Sequence, residues 1–382
     1  MLPFGRACFA ATTPGLEPAL AEEARALGQA TPVPGGVELF GAPGVHQEAC
    51  LRLRTANRVL LRLAELPPGS WGAVANALAK VDLSGVAAKG APVWLESTVH
   101  QRGAPAAPVL RRWLSRVWGR GVHASAGEDR SLDGTRLVLR LVEGSGTLSA
   151  DASGELLYRR GWRLEVGRAP LRETLAAGLL FLAGWSPEQS LWDPMCGSGT
   201  LLVEAALRGR RMAPGLARRF SFEGWPSTDQ VAWQQRRSRA AAEALAATPS
   251  LIHGSDLNAG ALGTARRNAR RAGVLDSLAL ERADLRALTP GHAVPGLLVA
   301  NLPYGKRLGS RQVRDDLFES MGEALRSRFT GWRAALLTDE PRRLERAVGL
   351  PVEASHALSN GGLSVTLLRF RPHAGAAPRE TS

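Results

Sequence analysis

Residues 190–207 read SLWDPMCGSGTLLVEAAL, and this stretch decides the fold class. Its first part, SLWDPM, is a short apolar run of strand length, and its last part, LLVEAAL, reads as a helix. Between them Asp193-Pro194-Met195-Cys196-Gly197-Ser198-Gly199-Thr200 forms a glycine turn. Gly197 and Gly199 let the backbone bend sharply and come close to a ligand. The helix that starts after Thr200 offers amide donors and a positive dipole end. The turn has no lysine, so it is not a phosphate loop, and the full dinucleotide fingerprint is missing. What remains is a candidate nucleoside-cofactor turn, with a purely structural glycine turn as the alternative.

Downstream the alternation continues. LIHGSD (251–256), LALERAD (278–284), PGLLVANLPYG (295–305) and RAALLT (333–338) read as strands. Residues 258–273 and 315–329 read as helices. APLRETLAAGLLFLAGW (169–185) is a long apolar helix ahead of the glycine turn. Alternating strands and helices predict a mostly parallel α/β sheet. The end differs, because residues 352–371 hold two extended runs around Asn360-Gly361, a hairpin turn signal. An antiparallel hairpin is therefore expected to close the parallel sheet.

Upstream the pattern is α+β. CFAATT (8–13), VELF (37–40) and VLLRLAEL (59–66) read as strands. Helices are expected from Leu16 to Leu27, stopped by Gly28, and from Val45 to Asn57. Pro67-Pro68-Gly69 marks a boundary, followed by a helix from Trp71 to Lys80 and a strand from Pro92 to Val99. The helix Val109–Arg120 carries Arg111, Arg112, Arg116 and Arg120 beside apolar residues, so it is either a solvated face or a phosphate-binding one. Strands follow at RLVLRLVEG (136–144) and near Gly146 to Ala150. The expected domains are 1–66, 67–155, a linker at 156–168, an α/β domain at 169–373 and a disordered tail at 374–382.

Charge narrows the partner. Lys plus Arg number 48 against 35 Asp plus Glu, a net of +13, and the only lysines are Lys80, Lys89 and Lys306. Arginine grips phosphate with a planar fork and stacks on bases, so a polyanion partner is expected. Biased base composition would explain the preference for arginine over lysine, but not the surplus over acids. Cys8, Cys50 and Cys196 suggest neither a disulfide framework nor a zinc site, and the seven histidines lie at no metal-ligand spacing, so no metal is expected. With no long apolar run and no cleavage-site pattern, a cytoplasmic protein without a membrane partner is expected.

Three further features carry chemistry. Asp256 ends LIHGSD, where an acid in a doubly wound sheet accepts hydrogen bonds from ribose hydroxyls. The long gap after Asp193 requires an insertion, whose arginines with Trp225 and Trp233 either bind RNA or pack on the sheet. Asp284 ends LALERAD, where it could reach an adenine amino group; a turn or cap role is the alternative for both acids. Most telling is Asn301-Leu302-Pro303-Tyr304 after the apolar run GLLVA. An amino group on a base is a poor nucleophile because its lone pair is delocalised into the ring. Two acceptors on its two N–H bonds, the Asn301 side-chain oxygen and the Leu302 carbonyl, would localise that pair and aim it at a methyl carbon. Pro303 would fix the turn, and the Tyr304 ring would stack on the base. Positioning beside a sulfonium methyl donor would then supply most of the catalysis. The nucleophile-elbow pattern fails, because Cys196 and Thr200 occupy the positions of its outer glycines.

DPMCGSGTLLVEAAL (193–207), NLPYGKRLG (301–309) and SADASGELLYRRGWR (149–163) together resemble the THUMP-domain RNA guanine-N2 methyltransferases. CFAATTPGLEPALAEEARALG (8–28) and RLRTANRVLLRLAEL (52–66) extend the likeness over nearly the whole chain, nearest to the short bacterial 23S rRNA guanine-N2 group. The resemblance implies a ferredoxin-like amino-terminal part, a THUMP domain that presents the RNA, and a Rossmann-like class I methyltransferase domain using S-adenosyl-L-methionine. On it, Asp193, Cys196, Gly197 and Gly199 match the cofactor loop, Asp256 the ribose acid, and Asp284 the adenine-side acid. Leu171, Arg172 and Thr174 match a segment covering the cofactor, and Asn301 to Tyr304 match the catalytic motif. Two positions depart from the pattern: Leu302 stands where proline is usual, and Trp162 where tyrosine is usual.

The expected activity is methyl transfer to guanosine N2 in structured RNA, most simply 23S rRNA. Asn-Leu-Pro-Tyr also occurs in relatives acting on tRNA near the acceptor stem, which keeps tRNA open. Arg159, Arg160, Arg163, Lys306 and Arg307 are expected to join Arg111 and Arg112 as phosphate contacts. A non-catalytic RNA-binding factor, and a methyltransferase for DNA adenine or protein glutamine, are the competing classes.

Overall fold

The computed structural model describes residues 7–125, 134–142, 145–164, 171–290, 294–303 and 311–372. Its elements, in chain order, are β1 (Ala7–Ala11), α1 (Glu17–Ala24), β2 (Gly28–Val33), β3 (Gly36–Gly41), α2 (Val45–Arg52), β4 (Arg58–Leu66), α3 (Trp71–Ala79), β5 (Val93–His100), α4 (Ala107–Trp118), β6 (Val122–Ala124), β7 (Thr135–Val142) and β8 (Ser145–Asp151). Then come α5 (Glu173–Leu182), β9 (Leu191–Asp193), α6 (Thr200–Gly209), α7 (Gln230–Ala242), β10 (Ile252–Asp256), α8 (Ala259–Arg271), β11 (Ala279–Arg282), β12 (Leu297–Asn301), α9 (Arg311–Ser327), β13 (Arg333–Thr338), α10 (Pro341–Val348), β14 (Val352–Asn360) and β15 (Leu363–Phe370). They form two compact units. One comprises Met1–Thr12, Leu20–Arg159 and Pro214–Ala242; the other comprises Thr13–Ala19, Arg160–Ala213 and Glu243–Ser382.

The first unit is built on one eight-stranded sheet of order β2-β3-β1-β4-β8-β7-β5-β6. The boundary expected at Pro67-Pro68-Gly69 does not divide it, because β4 pairs with β8 from Leu60↔Asp151 to Leu66↔Gly146. Strand β2 differs from expectation: α1 ends at Ala24, short of Leu27, and Gly28 starts an edge strand paired with β3. Its Pro32 is tolerated because an edge strand leaves one row of amides unpaired.

The insertion also departs from the expected boundaries. Residues Pro214–Ala242 cluster with the first unit, not with the α/β sheet. Trp225 and Trp233 are buried there, and Trp233 meets Phe222 edge-on with centroids 4.8 Å apart. Arg218 donates to the carbonyls of Ser153, Glu155, Leu156 and Arg159. The aromatic and arginine content of this stretch is thus used in packing and in satisfying main-chain oxygens.

The second unit is the doubly wound sheet, of order β11-β10-β9-β12-β13-β15-β14. The five strands from β11 to β13 are parallel, and β15 joins β13 antiparallel. Hairpin β14–β15 closes the edge with Asn360↔Leu363, so Gly361 and Gly362 form the loop, one position later than Asn360-Gly361 suggests. Both have positive φ, 59° and 87°, as a two-residue primed turn requires. Apolar side chains pack on the sheet in two clusters, one holding α5, α6 and Leu262, the other α9, Phe329 and Trp332. The chain runs from β9 to β10 and β11 on one side, then to β12 and β13 on the other. The strand order therefore reverses at β9–β12, and the crevice beyond their carboxyl ends is where such sheets bind ligands.

Candidate active site at the β9–β12 switch point

The turn after β9 is tied down from three directions. The Cys196 amide donates to the Ser255 carbonyl at 2.9 Å, and the Gly197 amide to Asp256 Oδ2 at 2.8 Å. From helix α8, the Asn268 side-chain amide donates to the Ser198 carbonyl at 3.1 Å. Gly197 and Gly199 have φ of 53° and 78°, where a side chain is strained. A Cβ on Gly199 would lie 2.9 Å from the Ala265 Cβ, so this glycine also permits α8 to pack against the turn. The main chain of the turn is thereby fixed at the start of α6, whose first amides lie beside the crevice.

A cavity of about 200 Å³ opens there. Leu171, Asp193, Cys196, Gly197 and Asp256 line it together with Asn301, Leu302 and Pro303. A second cavity of about 350 Å³ shares Met195 and Asp256 with the first and is lined by Asp284 and Arg286. The expected cofactor residues Leu171, Asp193, Cys196, Gly197 and Asp256 are thus brought together, with Asp284 one cavity further on. Arg172, Thr174 and Gly199 line neither. Arg172 is exposed at the start of α5, Thr174 is buried within it, and Gly199 faces α8.

The acids differ in state. Asp193 is buried and receives one hydrogen bond, from the Met195 amide at 3.1 Å. Burial, reinforced by the charge of Asp256, pushes its carboxyl up to about 8. Asp256 spends Oδ1 on the Asn258 amide at 2.8 Å and Oδ2 on Gly197. Asp284 accepts from the guanidinium and amide of Arg286, which hold its carboxyl down at about 2. Asn301, at the end of β12, has its Oδ1 buried with no hydrogen-bond partner among the described residues. The Leu302 amide donates to the Leu337 carbonyl at 3.1 Å, and its side chain is fully buried. That bond explains why leucine is accommodated here: a proline at 302 would have no proton to donate. Tyr304, Lys306 and Arg307 lie outside the described residues.

Two expected phosphate contacts are corrected. Arg160 pairs with Glu204 at 3.3 Å, with both side chains buried. Arg163 pairs with Glu173 at 3.0 Å, again with both buried. Neither guanidinium is available to a polyanion. Arg112 and Arg159 are exposed, and Arg111 is partly so. Asn268 was missed, although a trace of it is legible: it falls in the buried stripe Leu262, Ala265, Asn268, Ala269 of α8. An amide on an apolar stripe asks for a buried partner. Among the described residues no group of three or more His, Cys, Asp or Glu could hold a metal ion, and no helix is long and apolar enough to cross a membrane.

Residues 160–369 match the family model of the RMKL-like methyltransferase domain, and residues 7–60 match that of the RlmL ferredoxin-like domain. The chain belongs to the RMKL-like methyltransferase family. Among its relatives, Ribosomal RNA large subunit methyltransferase K/L of Syntrophotalea carbinolica is 37% identical over 95% of this chain and 53% of its own length. The chain therefore spans about half the length of that curated relative. Among solved structures, SMU.472, complexed with SAH, is 25% identical with a TM-score of 0.84, over 98% of this chain and all of that one. TrmN from Thermus thermophilus, 22% identical with a TM-score of 0.72 over 96% of this chain and 99% of its own, shares the fold. The cavity at the β9–β12 switch point is thus the candidate active site of an RMKL-like methyltransferase.

Proposed function

We propose that this chain is an S-adenosylmethionine-dependent RNA methyltransferase that acts on the exocyclic N2 of a guanosine in 23S rRNA. The observation that carries the reading is the buried Asn301 Oδ1, without a partner among the described residues, on a residue that lines a cavity with Asp193, Asp256 and the start of α6. A buried amide oxygen without a donor costs free energy, about 1–3 kcal/mol, and a substrate amino group would recover it. The cavity residues fit the cofactor: Asp256 for the ribose hydroxyls, Asp284 for the adenine amino group, and the buried Asp193 beside the α6 amides for the charged end. S-adenosylmethionine supplies an electrophilic methyl group, and the chain's part is to aim the nucleophile.

In this reading Asn301 and the Leu302 carbonyl accept the two N–H bonds of the guanine amino group, and Pro303 holds the turn between them. Tyr304 stacks on the base, with Lys306 and Arg307 next to it in sequence. The Leu302 amide, spent on Leu337, anchors the motif to β13. Leu171 closes the cavity from the other side, with Arg172 and Thr174 in the following turn. The expected THUMP region, residues 67–155, presents the RNA, with Arg111, Arg112 and Arg159 contacting phosphates. The K/L name of relatives supports a ribosomal substrate. The test is incubation with labelled S-adenosylmethionine and either unmodified 23S rRNA or unmodified tRNA, followed by nucleoside mass spectrometry. N2-methylguanosine in the rRNA is the expected product. The same nucleoside in tRNA alone would replace the substrate, and no methylated nucleoside in either RNA would overturn the reading.

A further inference from the structure

We propose that Arg163 is a positioning residue for the cofactor cavity: its guanidinium ties the main chain at Leu171, one wall of the cavity, to the first turn of α5. The inference rests on the cavity being the S-adenosylmethionine site. Nη1 of Arg163 donates to the Leu171 carbonyl at 2.7 Å and to Glu173 Oε2 at 3.0 Å. One nitrogen therefore spans the two residues on either side of Arg172, the residue at the amino-terminal cap of α5. The side chains of Arg163 and Glu173 are 6% and 5% exposed, so water competes little for either bond.

A second buried pair reaches α6. Glu204, the partner of Arg160, sits on α6, the helix that begins at the glycine turn. Trp162, between the two arginines, is buried in the cluster that also contains Leu171, Leu175 and Leu201. The segment from Arg160 to Arg163 thus joins α5 and α6, the helices that follow Leu171 and the glycine turn, through one buried ion pair each. Burial pushes the Glu173 carboxyl up to about 7, with Arg163 pulling it back. Leu171 lines the cavity, so the donation to its carbonyl joins the guanidinium directly to that lining. The paired donation from Nη1, to the cavity-lining main chain at Leu171 and to Glu173, assigns Arg163 a role in holding that wall.

The test compares wild type, Arg163→Met, Arg163→Lys and Asn301→Ala by calorimetric titration with S-adenosylmethionine and by methyl transfer at saturating RNA. Arg163→Met is expected to weaken cofactor binding and raise its KM by about 10-fold or more, the scale of one lost charged hydrogen bond. Its kcat at saturating cofactor should stay within about 3-fold, since a positioning loss recovered by mass action leaves the reacting groups in place. Arg163→Lys, whose ammonium can keep only part of the pattern, should fall between; it also carries the test if the Met variant does not fold. Folded Arg163 variants that bind S-adenosylmethionine as wild type does would overturn the inference, while Asn301→Ala losing methyl transfer in the same series leaves the cavity assignment standing. A wild-type chain that binds no S-adenosylmethionine would overturn both.

Discussion

The Gly197 amide donates to Asp256 Oδ2 at 2.8 Å, joining the turn after β9 to the end of β10 across 59 positions of sequence. With Asp256 Oδ1 on the Asn258 amide, one carboxylate organises the glycine turn and the start of α8 together. The ribose acid of the proposed site is therefore also its internal brace.

Asp256→Ala should for that reason cost more than a ligand contact. Removing a charged acceptor of two main-chain amides is worth about 1.5–3 kcal/mol per bond. Calorimetry should find S-adenosylmethionine binding weakened by 100-fold or more, with a lower Tm of the cofactor-free chain. An unchanged Tm would separate the brace from the binding role.

Gly199→Ala tests the packing of α8. The new Cβ would approach the Ala265 Cβ at 2.9 Å from a backbone with φ of 78°. A cost of about 1–3 kcal/mol is expected from the strain and the overpacking together. Denaturant unfolding measures it, and a neutral result would contradict the close approach.

Leu302→Pro would restore the residue usual in the family resemblance, and here it should destabilise. The amide bond to Leu337 is lost and a fully buried side chain is shortened. The expected loss is about 1–3 kcal/mol. Methyl transfer by the surviving folded fraction should persist, because the residue 302 carbonyl remains.

Asp193 makes stability depend on pH. Its carboxyl stands at about 8 in the folded chain against an ordinary 3.8, so the folded state binds a proton that the unfolded chain has released. The contribution is present below the unfolded value and is lost as pH rises towards 8. Asp193→Asn should flatten the fall in unfolding free energy of the cofactor-free protein between about pH 5 and pH 8. Equal slopes for the two proteins would refute a protonated Asp193.

The parallel sheet and its site were legible because each motif combines a period change with a turn residue. SLWD ending in Asp193 ahead of the glycine turn, LIHGSD ending in Asp256 and GLLVAN ending in Asn301 are runs of strand length, each ending at a polar residue. The first unit was harder. Its strands pair across long separations, so one sheet spans an expected boundary, and β2 hides behind a glycine and a proline. Helix α10 begins at Pro341 and buries only Leu344 and Val348 of its eight residues, too little apolar periodicity to stand out. Arg160 and Arg163 misled because an arginine beside other arginines reads as a surface cluster. Only tertiary contacts reveal that their partners, Glu204 and Glu173, approach from other elements.

The most direct test of the central claim is the effect of Asn301→Ala on cofactor binding and methyl transfer, measured on one preparation. The account predicts S-adenosylmethionine affinity within about 3-fold of wild type, since Asn301 serves the nucleophile and not the cofactor. It also predicts a kcat for N2-methylguanosine formation in 23S rRNA reduced by at least 100-fold, the scale of losing one preorganised polar group at the reacting centre. A variant that binds the cofactor and transfers methyl at the wild-type rate would contradict it.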